Sequence, residues 1–298
     1  MDETVLTRTF LHLPSIGPQR ERTLWDGGVS CWDDWLGQRD LFEEAPPDTF
    51  ETLLGESRER LRLGDARWFE ELLGPSHAWR LAADFDDGRT VYLDIETDGS
   101  RADEIPLDED APGGTTVVGT WDGREARVFL RGEDMLELPE YLCRYKVLCT
   151  FNGKSFDLPY LEGRFGKGFF PGAHLDLRPL TRVVGLTGGL KKIEEAIGLL
   201  RPEPIRRFTG YDAVKMWALY KTRGRMDALE GLARYNLADA VNLQAVMRAA
   251  YNAYIQQQNL PFRRFDSLQE PEMDTAVDEA IKCMHARLAA RGSPDETT

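Results

Sequence analysis

The run Arg89-Thr90-Val91-Tyr92-Leu93 is apolar, β-branched and aromatic, and it leads directly into Asp94-Ile95-Glu96. A strand places side chains i and i+2 on one face, so the two carboxylates stand side by side and project toward one place. Half-buried carboxylates that close repel each other unless a cation lies between them. They also sit at the carboxyl end of the strand, the edge at which α/β sheets hold ligands. A further acid, Asp157, follows Thr150-Phe151-Asn152-Gly153-Lys154-Ser155-Phe156, which reads as a strand end, an Asn-Gly turn and a helix start. There Asp157 falls in the first helical turn, where the helix dipole favours negative charge. The last acid, Asp239, lies four residues after Tyr235 in Tyr235-Asn236-Leu237-Ala238-Asp239, so phenol and carboxylate share a helix face. Leu232, Leu243 and Val246 mark an apolar face beside them, and burying an unpaired charge there is costly. Singly, each feature has an ordinary alternative: a solvated strand end, a helix-start acid, a surface Tyr–Asp hydrogen bond.

The elements that must position these residues are legible around them. Thr115–Gly123 followed by Arg124–Leu130 reads as a hairpin turning at Asp122-Gly123, a helix near 133–144 follows, and Lys146–Phe151 is the next strand. A helix from about Ser155, a short strand around His174–Asp176 and a long helix near 226–258 complete an α/β pattern with a mixed sheet. Before residue 89, Pro14-Ser15-Ile16-Gly17-Pro18 turns between two short apolar-periodic helices within 10–36, and Trp25, Trp32 and Trp35 offer faces for docking. Residues 42–50, with Pro46-Pro47, read as a linker, and 51–73 as one helix rich in Glu and Arg. The expected organisation is a helical unit over 1–45, a linker and helix over 46–88, the α/β domain over 89–258, and a C-terminal helix with a disordered tail over 259–298.

With 298 residues, 42% of them hydrophobic, the chain can bury a real core. No apolar run reaches the ~18 residues a membrane span needs, and the acidic start lacks the order of a signal peptide. Four scattered cysteines without C-x-x-C spacing exclude a disulfide framework or zinc cluster, so a reduced, cytoplasmic protein is expected. The net charge of −14 argues against a nucleic-acid partner until it is resolved along the chain. Residues 141–225 carry sixteen basic and seven acidic side chains, a strongly positive stretch in an acidic protein. The place of the positive face, not the net charge, decides the partner.

Together the acidic segments are specific. Leu93-Asp94-Ile95-Glu96-Thr97, Asn152-Gly153-Lys154-Ser155-Phe156-Asp157-Leu158 and Tyr235-Asn236-Leu237-Ala238-Asp239 resemble, in order, context and spacing, the three motifs of the DEDD superfamily of 3′→5′ exonucleases on the ribonuclease-H-like fold. The textures are similar to proofreading domains of family B DNA polymerases and to bacterial YprB-type ribonuclease-H-like proteins, over roughly residues 89–255. His174–Leu180 and Gly188–Leu199 resemble the bacterial group too. The resemblance implies a mixed β-sheet flanked by helices, and makes Asp94, Glu96, Asp157 and Asp239 the ligands of two Mg²⁺ or Mn²⁺ ions. Tyr235 identifies the Tyr subclass, because the position five before Asp239 is Arg234 rather than histidine. Hard cations of this kind want carboxylate oxygens, and two of them can activate water and stabilise the leaving oxygen of a phosphodiester. Asp94 is expected to bridge the ions, Glu96 and Asp157 to complete their shells, Asp239 to hold the ion nearer the water, and Tyr235 to orient that water.

Candidate nucleic-acid contacts are Thr97, Asn152, Lys154, Phe156, Arg206 and Arg207, with Lys191, Lys192, Arg201, Lys215, Lys221, Arg223 and Arg225 as further cations of the basic stretch. Phe156 is either a wedge beside a terminal base or a core residue. Leu13–Gly28 resembles a helix-hairpin-helix module, with Ser15 where glycine is usual; its alternative is a packing unit. The expected activity is metal-dependent 3′→5′ hydrolysis of single-stranded DNA or RNA ends. A structure-specific endonuclease and a non-catalytic nucleic-acid-binding module compete with it. The Tyr-x-x-x-Asp helix argues against the first, and converging negative charge against the second.

Overall fold

The computed structural model describes residues 4–35, 47–102, 114–203, 205–266 and 271–291. The helices α1 (Pro18–Asp26), α2 (Trp32–Trp35), α3 (Pro47–Arg62), α4 (Ala66–Leu73) and α5 (Leu81–Phe85) precede the sheet. Strands β1 (Thr90–Thr97), β2 (Thr115–Trp121) and β3 (Ala126–Leu130) run antiparallel in sequence. After α6 (Leu138–Leu142), β4 (Val147–Thr150) returns parallel to β1, and after α7 (Asp157–Phe165), β5 (Ala173–Asp176) lies parallel to β4. Helices α8 (Leu177–Val183), α9 (Leu190–Ala196), α10 (Gly210–Arg223), α11 (Met226–Gln258) and α12 (Pro271–Arg291) follow. The strand order is β3-β2-β1-β4-β5, so the expected mixed sheet flanked by helices is present.

Alternation along β1 divides two buried faces. Val91, Leu93 and Ile95 join Val118, Phe129 and Leu148 against Leu138, Tyr141, Leu142 and Leu161 of α6 and α7. Tyr92 joins Val117, Trp121, Val147 and Leu175 against Leu229, Leu232, Leu237, Val241 and Tyr251 of α11. Asp94 and Glu96 share the parity of Tyr92 and belong to this second face. Both sheet edges are covered, which removes unpaired strand groups from solvent. On β3, Arg287 of α12 donates to the Val128 carbonyl at 2.7 Å; on β5, Glu70 of α4 accepts from the His174 N–H at 2.8 Å.

The amino-terminal helices pack into the same core as α11. Trp32 stacks on Phe69, Trp35 meets Phe50, and Trp25 meets Phe262 edge-on. Buried Arg80 forms a two-pronged ion pair with buried Glu21 at 2.8 and 2.7 Å, with the rings of Trp79 and Phe262 beside the guanidinium. The Pro14–Pro18 turn is present, with Ser15 at φ 62°, but the side before it is a run of turns rather than a helix. There Asp84 accepts from the Val5 and Leu6 N–H groups at 2.9 and 2.7 Å, taking backbone donors out of any local helix.

The single helix expected over 51–73 is two, because Gly64 at φ +67° breaks it and Asp65 caps α4 by accepting from the Trp68 N–H. Residues 47–50 of the expected linker instead open α3, with Pro47 in the first position, where its missing N–H costs nothing. Residues 42–46 and the tail from 292 lie outside the described residues. Among the described residues, no helix is long and apolar enough to cross a membrane.

Candidate active site

Beyond Tyr92, β1 has no pairing with β4, whose last paired residue with it is Cys149. The two parallel strands part at their carboxyl ends, and the half of β1 that carries Asp94 and Glu96 is held by β2 alone, in register with Gly119 and Val117. Into this crevice come Asp157, the first residue of α7, and Tyr235 and Asp239 from α11. One oxygen from each of Asp94, Glu96 and Asp239 lies within 4.8 Å of the others. Asp157 is buried beside them and accepts from the Ile95 backbone N–H, a donor freed by the departure of β4. Helix α7 begins there because Asn152, at φ 66°, and Gly153 make the turn; a Cβ on Gly153 would lie 2.0 Å from the Thr150 hydroxyl. Asp176 fastens the turn by accepting from the Asn152 and Lys154 N–H groups at 2.8 and 3.1 Å.

Crowding sets the electrostatics. Burial, then the charges of Asp239 and Asp157, push the Asp94 and Glu96 carboxyls well above the usual range. Burial raises Asp157 to about 7 and Asp239 to about 6, the latter held down by Arg201. Burial and the same carboxylates raise the Tyr235 phenol, so it stays protonated at neutral pH. These are the properties of a site built for divalent cations: oxygen donors only, converging, and repelling one another in their absence.

Two side chains hold the carboxylates, Asn236 and Arg201, and a third, Lys191, lies beside Tyr235; none was singled out for such a role by motif. Asn236 is fully buried and donates to both the main-chain oxygen and Oδ2 of Asp94, at 3.1 and 2.9 Å. It fits only because residue 119 is glycine, where a Cβ would come within 2.6 Å of its Oδ1. Arg201 pairs with Glu194 at 2.6 and 2.7 Å and reaches Asp239. Buried so, it is a partner of the site carboxylates rather than the free phosphate contact its place in the basic stretch suggested. Lys191 donates to the Phe208 carbonyl and lies 4.9 Å from the Tyr235 ring centroid.

A cavity of about 600 Å³ opens onto Asp94 and Asp157 and is lined by Phe151 and Phe156 and by Arg178 and Arg182 of α8. Phe156 is 40% exposed and lies 5.1 Å from Tyr160, so it is no core residue. Asn152 also lines the cavity, and Arg178 donates to its side-chain oxygen. Arg178 and Arg182 were missed; a basic i, i+4 pair following the Asp176 helix cap was the available signal. Lys154 is exposed at the turn, whereas Arg206 and Arg207 sit on an exposed 3₁₀ turn, Arg207 with Glu203 at 3.5 Å. Neither arginine lines this cavity. Thr97 is buried, and its hydroxyl accepts from the Gly99 N–H at 3.4 Å.

A sequence profile of the RNase_H superfamily matches residues 91–251, more than half of the chain, from within β1 to within α11. The chain belongs to the ribonuclease H superfamily. Membership supports a nuclease hydrolase acting on nucleic acid, and ribonuclease-H-like nucleases typically use divalent metals. The acidic cluster of this superfamily member is compatible with that use. Searches of curated proteins and of solved structures gave no match.

Proposed function

We propose that the protein is a 3′→5′ exonuclease of the DEDD Tyr subclass that removes nucleotides from single-stranded ends of DNA or RNA. The observation that carries this reading is the meeting of Asp239 with Asp94 and Glu96 in one cluster, with Tyr235 one helical turn before Asp239 on α11 and close enough to feel the charge of all three. Two divalent cations, Mg²⁺ or Mn²⁺, held by Asp94, Glu96, Asp157 and Asp239 would supply the charge that activates water and stabilises the leaving oxygen.

The chain's own side chains do the rest. Asn236 holds one oxygen of Asp94 and leaves the other for ligation. The Tyr235 hydroxyl, kept protonated by its surroundings, positions the attacking water by hydrogen bonding rather than by taking its proton. Phe156, on the cavity wall, offers its ring to the base of the terminal nucleotide, since stacking is tolerant of base identity. Arg178 and Arg182, which line the same cavity, are the contacts for the phosphates of the following nucleotides.

The test is a 5′-labelled single-stranded oligonucleotide, as DNA and as RNA, with Mn²⁺ or EDTA, beside Asp94→Ala and Asp239→Ala. A metal-dependent ladder shortening from the 3′ end, lost in both variants, is the expected result. Cleavage that persists when the 3′ end is blocked would replace the exonuclease with an endonuclease. Intact substrate that is still bound would replace it with a binding module.

A further inference from the structure

We propose that Arg201 is a positioning residue for Asp239, fixing the carboxylate that completes the cation site. This rests on reading the four carboxylates as a divalent-cation site. Arg201 follows α9, and its side chain is almost fully buried. Its Nε and Nη2 grip both oxygens of Glu194, itself 1% exposed, and Asn242 donates to Glu194 Oε1 at 3.1 Å. Asn242 lies three residues after Asp239 and so on the same flank of α11.

The Arg201–Glu194 pair is already two-pronged and needs nothing more from Nη2, yet that nitrogen also donates to Asp239 Oδ1. The guanidinium therefore takes one defined oxygen and leaves Oδ2 as the ligand atom. It also leaves Nη1 buried and without a partner among the described residues. A buried donor left unmade is costly, so packing alone does not account for this placement. The fork matters as well as the charge: a planar guanidinium spans two carboxylates at fixed angles, which an ammonium does not. Asp94 of the same cluster is treated likewise, with Asn236 on one of its oxygens. Two of the carboxylates are thus held by a protein donor before any cation arrives, which is how outer-shell partners set metal affinity.

The experiment is a calorimetric Mn²⁺ titration of the full chain without substrate, for the native protein, Arg201→Met, Arg201→Lys and Asn242→Ala. Folding of each is checked by circular dichroism and thermal melting. The native protein is expected to take up two ions. Both Arg201 variants are expected to lose one ion or to bind it at least tenfold more weakly, with kcat falling and KM within about twofold. Asn242→Ala, which loosens only Glu194, is expected to fall between. If Arg201→Met does not fold, Arg201→Lys decides, because it keeps the charge and removes the fork. Native-like two-ion binding in a folded Arg201→Met or Arg201→Lys protein would overturn the proposal. A native protein that binds no Mn²⁺ would remove the cation-site reading itself, a result separate from an unaltered variant.

Discussion

Gly119→Ala tests whether the approach of α11 to β1 sets the site. The added methyl would stand 2.6 Å from Asn236 Oδ1 and 3.2 Å from the Asn236 main-chain oxygen. Ordinary contact begins near 3.4 Å, so the side-chain oxygen must retreat by close to an ångström. Overpacking of this kind costs about 1–3 kcal/mol. The retreat also pulls Nδ2 from Asp94, a hydrogen bond worth about 0.5–1.5 kcal/mol. The expected loss is therefore on the order of 3 kcal/mol in urea unfolding. Displacement of Asp94 by about 1 Å predicts a fall on the order of 100-fold in turnover, the usual cost of such misplacement. The assay is denaturation and oligonucleotide degradation on Gly119→Ala, Asn236→Ala and the double variant. Removing the Asn236 side chain leaves the methyl facing only the main-chain oxygen, so the glycine substitution should then cost under about 1 kcal/mol. A native-like Gly119→Ala, or costs that simply add in the double variant, would refute the reasoning.

Four further outcomes follow from the geometry. With metal removed, stability should fall as pH rises from about 4 toward 7. Carboxyls such as Asp157 are raised on folding, so the native state holds protons that the unfolded chain has already released; Asp157→Asn should show a shallower slope in EDTA melts, and an unchanged slope would count against the shift. Saturating Mn²⁺ should raise the melting temperature of the native protein by roughly 5–10 °C, taking ~2.7 kcal/mol at a hundredfold excess over Kd. Asp94→Ala and Asp239→Ala should lose most of this rise. Phe156→Ala should change stability by about 1 kcal/mol or less, its side chain being 40% exposed, while weakening single-strand binding by about 1–3 kcal/mol in a fluorescence titration; equal loss in both would point to packing. Arg80→Met leaves Glu21 charged and buried, and should cost about 3–5 kcal/mol in chemical denaturation.

Much of the site was legible because its signals are local. The i, i+2 spacing of Asp94 and Glu96 put them on one face, and the strand's apolar texture made that face buried. Asp122-Gly123 marked the β2–β3 turn, where Gly123 adopts φ +91° and the Asp122 side chain accepts from the Arg124 and Glu125 N–H groups. The 3.6-residue pattern over 226–258 matched the bounds of α11. What was not legible depends on distant pairs. Asn236 looks like an ordinary polar residue until β2 brings Gly119 opposite it. Arg201 looks like one more cation until α9 and α11 place Glu194 and Asp239 around it. The break at Gly64 was missed because one glycine inside a Glu- and Arg-rich run does not by itself end a helical pattern.

The order in which the ribosome delivers the ligands is a consequence of α11. Asp94, Glu96 and Asp157 are made early, whereas Tyr235 and Asp239 come well over a hundred residues after Asp94, on the helix that also roofs one face of the sheet. At about 5–20 residues per second, the interval from Asp94 to Asp239 is on the order of 10–30 s. For the latter part of it, from Asp157 onward, the nascent chain has three of the four acids and still lacks α11. On the function proposed above, the set of four acids is completed only with α11, so nuclease competence comes with the packing of that helix rather than before it.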